Sequence, residues 1–197
     1  MKNHLKSIVL LVLTSVVIFS CSSDSDSSKS ANQFTIEGQS YTLIPDNALL
    51  ELKMDNHIMD QGQTYDRSSI TLSGLNGTTI GTASFDLFYK DGLPVEGTYT
   101  ITGSLSDNDP DFFDQLLVDN KLCLGWTSSC AVSEAGAPTF LVNANNPTGT
   151  VTVINNGNSN YTIQFNGNYR KYDGNFEVIG TSPVVINVTT DVTIQVF

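Results

Sequence analysis

The sequence predicts an all-β protein, an antiparallel β-sandwich of the jelly-roll type with about ten strands. From residue 34 onward apolar residues alternate with polar ones, which is the period of a β-strand. The polar positions hold mainly Thr, Asn and Gln, as expected of antiparallel strands with one face in water. Turn signals interrupt the alternation about every 8–12 residues. A lipocalin-like barrel is the alternative, because periodicity does not distinguish two packed sheets from one closed sheet.

The length and composition of the chain fit one folded domain, which we place at residues 33–197. Of the 197 residues, 40% are apolar and 15% are charged, which excludes a disordered or coiled-coil chain. A domain of this size hides enough of its surface to hold a core without a metal ion or a disulfide.

The predicted strands follow one another along the domain, and each is marked by its apolar positions. In chain order these positions are Phe34 and Ile36; Tyr41 and Leu43; Leu50, Leu52 and Met54; Ile70 and Leu72; Phe85, Leu87 and Tyr89; Tyr99 and Ile101; Val151 and Val153; Tyr161, Ile163 and Phe165; Val184, Ile186 and Val188; and Val192, Ile194 and Val196. Tyr169 lies an even number of residues after Tyr161, so both face the same side of a strand and Tyr169 is expected in the core.

One segment breaks the alternation and predicts a short helix at 110–118. Its apolar residues are Phe112, Phe113, Leu116 and Leu117, which fall on one helical face. Asp109 precedes it as a capping residue, and Pro110 and Asp111 suit the first turn of a helix. We expect this helix to cover one open end of the sheets.

The first twenty residues are predicted to be a signal peptide. Lys2 and Lys6 precede an apolar run of about a dozen residues, which is shorter than the roughly 20 needed to cross a bilayer. The run ends in Ile18-Phe19-Ser20-Cys21, which resembles the lipobox of Bacteroidota-type lipoproteins. The resemblance implies that Cys21 is lipidated and becomes the new N-terminus.

Residues 21–32 are predicted to be a flexible tether, because the segment after Cys21 is rich in Ser and Asp and cannot join a core. Its acidic residues are similar to the surface-export signals of the same lipoproteins. The resemblance therefore implies an outer-membrane lipoprotein held by its acyl chains and exposed at the cell surface. A position facing the periplasm is the alternative.

The charge of the chain argues against nucleic acid as a partner. Acidic residues outnumber basic ones 20 to 9. Loss of Lys2 and Lys6 with the signal peptide leaves 7 basic residues and a net charge of −13. Such a polyanion repels phosphate backbones.

The two remaining cysteines are predicted to form a disulfide. Cys123 and Cys130 enclose six residues, and an oxidising compartment favours their pairing. Two separate buried thiols are the alternative.

Calcium is the one cofactor that the sequence suggests. Asp107, Asp109 and Asp111 alternate like the first ligands of a calcium loop. Phe112 and Val118 stand where such a loop needs Gly and Glu, and helix capping explains two of the three aspartates equally well.

The candidate ligand-binding residues are aromatic. Trp126 is the single Trp and lies between the two cysteines, while Tyr172 adjoins the Arg170-Lys171 pair. A catalytic set is not visible, since His57 is the only histidine left after signal cleavage and no Gly-x-Ser-x-Gly motif accompanies it.

The domain is similar to the small β-sandwich lipoproteins of Bacteroidota, through strings such as Gly97-Thr-Tyr-Thr-Ile101. The sequence therefore suggests a non-catalytic binding or adhesion module that takes a glycan or a protein ligand. A structural accessory subunit of an outer-membrane assembly is one alternative. A hydrolase that uses two carboxylates is the other.

Overall fold

The computed structural model describes residues 32–44, 47–52, 58–60, 63–102, 120–136 and 140–197. Within these ranges the chain forms fourteen strands and no helix, so the all-β prediction is confirmed. The strands are β1 (Gln33–Ile36), β2 (Gln39–Leu43), β3 (Leu49–Leu52), β4 (Ile58–Asp60), β5 (Gln63–Asn76), β6 (Thr79–Lys90), β7 (Gly97–Thr102), β8 (Lys121–Leu124), β9 (Ser129–Glu134), β10 (Phe140–Thr148), β11 (Thr150–Gly157), β12 (Asn160–Tyr172), β13 (Val178–Asp191) and β14 (Thr193–Val196).

Several sequence predictions fall outside the described residues. They are the signal peptide at 1–20, all but the last residue of the tether, and the helix at 110–118. Cys21, His57 and the three aspartates of the suggested calcium site belong to these parts of the chain as well.

The described strands belong to one large mixed sheet, and the predicted sandwich of two antiparallel sheets is not confirmed. Most neighbours are antiparallel, but β7 pairs with β8 and β3 pairs with β14 in parallel. The hydrogen-bonded order runs β6-β8-β7-β11-β12-β13-β1-β2-β5, and β5 also pairs with β6. The path of strand pairing therefore returns to its start.

The longest hairpin among the described strands is β12–β13. Its register runs from Asn160 opposite Asp191 at one end to Tyr172 opposite Val178 at the other. Thirteen residues in β12 at about 3.3 Å each give a span of about 40 Å.

One hydrophobic core receives side chains from nearly every strand. On β12 the residues Tyr161, Ile163, Phe165 and Tyr169 are buried, as the alternation predicts. The rings of Phe165 and Tyr169 pack against Phe85 on β6, at centroid distances of 5.2 and 6.1 Å. Such aromatic pairs add about 0.5–1.5 kcal/mol each to the effect of burial.

The parity prediction is wrong at the last strand. Val196 was expected to face inward, yet its side chain is 70% exposed. The reason is that β14 pairs only with β3, so among the described strands it lies at the end of the order, where no second neighbour covers it.

Candidate functional site

The structure brings the two predicted ligand-binding aromatics together in one cleft of about 410 Å³. Trp126 comes from the loop between β8 and β9, and Tyr172 ends β12. The full lining is Trp126, Asn143, Asn145, Tyr172, Asp173 and Phe176, and we call it the aromatic cleft. Its volume lies in the usual range of small-molecule sites, about 300–1,000 Å³.

One wall of the aromatic cleft is residues 125–128, which we call the pedestal loop. Strands β8 and β9 pair with successive parts of β6, and the pedestal loop connects the two strands. The Gly125 backbone N–H donates to the Thr102 carbonyl at 2.9 Å. A Cβ at Gly125 would lie 2.4 Å from that oxygen, so only glycine permits the close approach.

The pedestal loop is fixed from below by Asp86 of β6, whose side chain is buried. Arg67 of β5 donates from Nε and from the terminal guanidinium nitrogen to the two carboxylate oxygens, at 2.8 and 2.7 Å. This hydrogen bond to Asp86 is the main cause that raises the pKa of Arg67. The Thr127 hydroxyl donates to the same carboxylate, and the Asp86 N–H donates to Ser128 Oγ at 3.0 Å. The residues that follow Trp126 are therefore fixed by hydrogen bonds to Asp86, while 55% of the Trp126 surface is exposed to solvent.

Asn146 joins the pedestal loop to the opposite side of the aromatic cleft. Its backbone N–H donates to the Gly125 carbonyl at 3.0 Å, and its side-chain Nδ2 donates to the Tyr172 hydroxyl at 2.8 Å. The residue lies at a β-bulge in β10 with φ of 51°, a left-handed conformation that Asn tolerates well. Because Tyr172 accepts this bond, its own O–H hydrogen remains available to a ligand.

The other wall is formed by Asp173 and Phe176, which belong to residues 173–177 between β12 and β13, here named the hairpin loop. Asp173 Oδ1 accepts hydrogen bonds from the backbone N–H groups of Asn175 and Glu177 at 2.8 and 2.9 Å. These bonds, the one from Glu177 first, lower the pKa of Asp173. Phe176 follows with φ of 65°, a strained conformation for an aromatic residue, and is 80% exposed.

The aromatic cleft combines flat apolar surfaces with hydrogen-bonding groups. Trp126, Tyr172 and Phe176 supply rings, and Asn143 and Asn145 supply amides. Asp173 supplies a carboxylate, and the described lining contains no basic side chain. This arrangement suits a ligand that has an apolar face and a rim of hydrogen-bond donors.

The predicted disulfide between Cys123 and Cys130 is wrong, since both cysteines are free and buried. Cys123 lies opposite Leu87 and Cys130 lies opposite Ala83, four residues apart on the same strand. Four residues correspond to about 13 Å, whereas the Cα atoms of a disulfide lie within about 7 Å. The open alternative of two separate buried thiols describes the structure.

Burial also governs the acidity of these two thiols. It raises the pKa of Cys123 to about 12 and that of Cys130 to about 11. Cys123 Sγ lies 3.4 Å from Ser128 Oγ, directly beneath the pedestal loop. Neither thiol has the exposed, low-pKa environment of a reactive cysteine.

Within the described ranges no group of three His, Cys, Asp or Glu residues is placed to hold a metal ion. The three aspartates suggested for calcium are outside those ranges, so that suggestion stays a prediction.

Sequence reasoning found two residues of the aromatic cleft and missed the others. Asp173 and Phe176 belong to an Asp-Gly-Asn turn, a signal that marks the loop but not the direction of its side chains. Asn143, Asn145 and Asn146 carried no signal, because their position depends on a bulge in β10.

Comparison of the chain with protein-family models, with curated proteins and with solved structures finds no match. In the described part of the chain, no helix has the length and hydropathy needed to span a membrane.

Proposed function

We propose that this protein is a lipid-anchored outer-membrane protein, exposed at the cell surface, that binds a carbohydrate ligand in its aromatic cleft without cleaving it. The lipobox-like segment ending at Cys21 and the Ser/Asp-rich tether support the anchor. The observation that carries the binding role is the convergence of Trp126 and Tyr172 on one cleft with amides and a carboxylate.

The chemistry of the aromatic cleft favours a sugar over other small ligands. A pyranose ring has an apolar face of C–H bonds, which packs on an aromatic ring, and a rim of hydroxyl groups. The exposed Trp126 offers such a ring, while Asp173 and the amides offer acceptors for the hydroxyls. A bond from a hydroxyl to an ionised carboxylate is about twice as strong as one between neutral groups.

The position of the aromatic cleft fits a ligand that arrives from outside the cell. The described chain begins at Asn32, whose carbonyl accepts from the Leu43 N–H and which shares a groove with Asn160 and Asp191. That groove lies at one end of the β12–β13 hairpin, and the aromatic cleft lies at the other, about 40 Å away. A tether entering at Asn32 leaves the cleft distant from the anchored end.

For the architecture we propose a barrel-like body, since the strand pairing forms a closed circuit. A single cluster of buried side chains fills its interior. In this proposal the ligand site is at the surface of the body, in contrast to the interior cavity of a lipocalin.

The single Trp of the chain makes the proposal directly testable. We expect neutral oligosaccharides on a glycan array to retain the full-length lipoprotein, and a bound sugar to change the fluorescence of Trp126. Trp126→Ala should abolish retention, because it removes the stacking surface. Phe197→Ala is the matched control, since Phe197 is 58% exposed and lies outside the aromatic cleft. An array without any retained glycan would overturn the proposal.

The described lining does not support hydrolysis of the bound sugar. Glycoside hydrolysis generally uses two carboxyl groups about 5–10 Å apart. Asp173 is the only carboxylate in the described lining. We therefore expect retained oligosaccharides to be recovered intact, and shortened products would contradict the non-catalytic role.

A protein ligand is the second candidate, favoured by exposed apolar residues at the same end of the sheet. Phe140, Leu141, Val178 and Ile179 are each more than half exposed, and they begin β10 and β13. Exposed apolar groups of this kind mark protein interfaces. A stoichiometric partner recovered from crosslinked cells, and lost with Leu141→Ser, would favour an accessory subunit.

A further inference from the structure

Asp173 has two separable roles in the hairpin loop, which follow from its two carboxylate oxygens. Oδ1 accepts both backbone hydrogen bonds that close the loop, from Asn175 at 2.8 Å and from Glu177 at 2.9 Å. Oδ2 takes no part in these backbone bonds, and the residue lines the aromatic cleft. Oδ1 therefore holds the loop, and a ligand reaches the oxygen that makes no backbone bond in competition with the Asn175 side chain, which also hydrogen-bonds this carboxylate.

Asp173 carries the only charge in the described lining of the aromatic cleft. Lys171 forms an ion pair with Glu37. Arg170 is exposed on β12 directly opposite the lining residue Asn145, so it places a positive charge beside the cleft without lining it. Glu177 belongs to the same loop and adds a second negative charge nearby. The backbone donors to Oδ1 keep the pKa of Asp173 low, so the group stays ionised at neutral pH.

We propose that Asp173 is the specificity-determining residue of the aromatic cleft, where it selects uncharged sugar rings and rejects uronic acid or sulfated sugars. This inference rests on the proposed carbohydrate function. A neutral ring stacked on Trp126 presents neighbouring hydroxyls, and Asp173 accepts their hydrogens. A sugar that carries a carboxylate or sulfate in the same position meets a like charge across a short distance, which disfavours binding.

The chain offers an isosteric test of this role. Asp173→Asn keeps an Oδ1 acceptor for the two backbone N–H groups, so the hairpin loop is expected to fold as before. It removes the charge and replaces the second acceptor by an amide donor. Glu177→Gln removes one negative charge from the same loop without altering the described lining, and is the matched control.

The experiment is a glycan array that contains neutral, uronate and sulfated oligosaccharides, probed with full-length lipoprotein in detergent. Trp126 fluorescence titrations with the retained glycans then give dissociation constants. We expect the unmodified protein to retain neutral glycans only. Asp173→Asn should weaken them roughly 10- to 100-fold, as loss of a charge-assisted hydrogen bond implies, whereas Glu177→Gln should not. Circular dichroism and an unchanged Tm establish that the Asp173→Asn variant is folded.

The outcomes separate this inference from the function on which it rests. Retention of uronate or sulfated glycans that depends on Trp126 would overturn the role of Asp173 and leave carbohydrate binding intact. Unchanged affinity of a folded Asp173→Asn variant for neutral glycans would do the same. Silence of the whole array would overturn both.

Discussion

The two walls of the aromatic cleft are built in opposite ways. The pedestal loop at 125–128 is held by the body of the protein, through the buried Asp86, the Thr102 carbonyl and the backbone of Asn146. The hairpin loop at 173–177 is held by bonds within itself and contains the strained Phe176. One wall is therefore fixed before a ligand arrives, and the other depends on a local turn that a ligand can stabilise.

The largest effect is expected from Arg67→Ala, which removes the guanidinium from beneath the pedestal loop. It leaves the buried Asp86 carboxylate without its cationic partner. Because 24% of the Arg67 side chain reaches water, we expect a loss near the lower end of the range for buried pairs, about 3 kcal/mol in the free energy of unfolding. Urea denaturation measures it, and Arg170→Ala is the exposed control. A loss no larger than that of the control would mean that the pedestal loop is not anchored by this pair.

A smaller effect is expected from Asn146→Gly, which retains the left-handed backbone but removes the bond to Tyr172. The donor lost is worth about 1 kcal/mol of stability. Ligand affinity should fall as well, because the Tyr172 hydroxyl is no longer oriented by the Asn146 side chain. Asn146→Ala should cost more, since Ala disfavours φ of 51°. Titration of Trp126 fluorescence compares the two variants, and equal affinity to the unmodified protein would remove Asn146 from the site.

In the hairpin loop, Phe176→Asn is expected to stabilise the protein, whereas the preceding variants destabilise it. Asn adopts the left-handed region with little strain, so the free energy of unfolding should rise by up to about 1 kcal/mol. The ligand should bind more weakly, since one ring of the aromatic cleft is lost. A gain in stability without a loss in affinity would show that Phe176 does not contact the ligand.

The last prediction concerns the pH dependence of stability that arises from the two separate buried thiols, Cys123 on β8 and Cys130 on β9. Because burial raises the pKa of Cys123 to about 12 and that of Cys130 to about 11, their protons are released on unfolding once the pH exceeds the ordinary value of 9.0. The contribution of the two thiols to the free energy of unfolding should therefore be constant below about pH 9 and fall above it. A Cys123→Ala/Cys130→Ala variant should fall less between pH 9 and 10, and identical pH profiles would contradict the assignment.

The sequence predicted the local features of the fold and missed those that depend on distant pairing. Alternation placed Tyr161, Ile163 and Phe165 in the core, because side-chain direction follows from the period of a strand. It gave no information on which strands become neighbours, so the parallel pairs were not foreseen, and a closed sheet was only the alternative to the sandwich. The disulfide prediction failed for the same reason, since sequence spacing does not reveal that both cysteines face one strand four residues apart.

The residues of the candidate site also fall into those that local sequence signals predicted and those that depend on the folded backbone. Trp126 was predicted as the single Trp, lying between the two cysteines, and Tyr172 because it adjoins the Arg170-Lys171 pair, and both signals are local to the sequence. Asn146 and Phe176 act through left-handed backbone at a bulge and a turn, and neither conformation is encoded by their residue type alone.

The central claim is that ligand binds between the pedestal loop and the hairpin loop. Hydrogen–deuterium exchange of the full-length lipoprotein, with and without a glycan retained on the array, tests it most directly. We expect new protection in peptides that cover 173–177 and 143–146, with little change at 125–128, which is already fixed. Protection confined to the outer faces of β1 and β13, or none at these loops, would contradict the account.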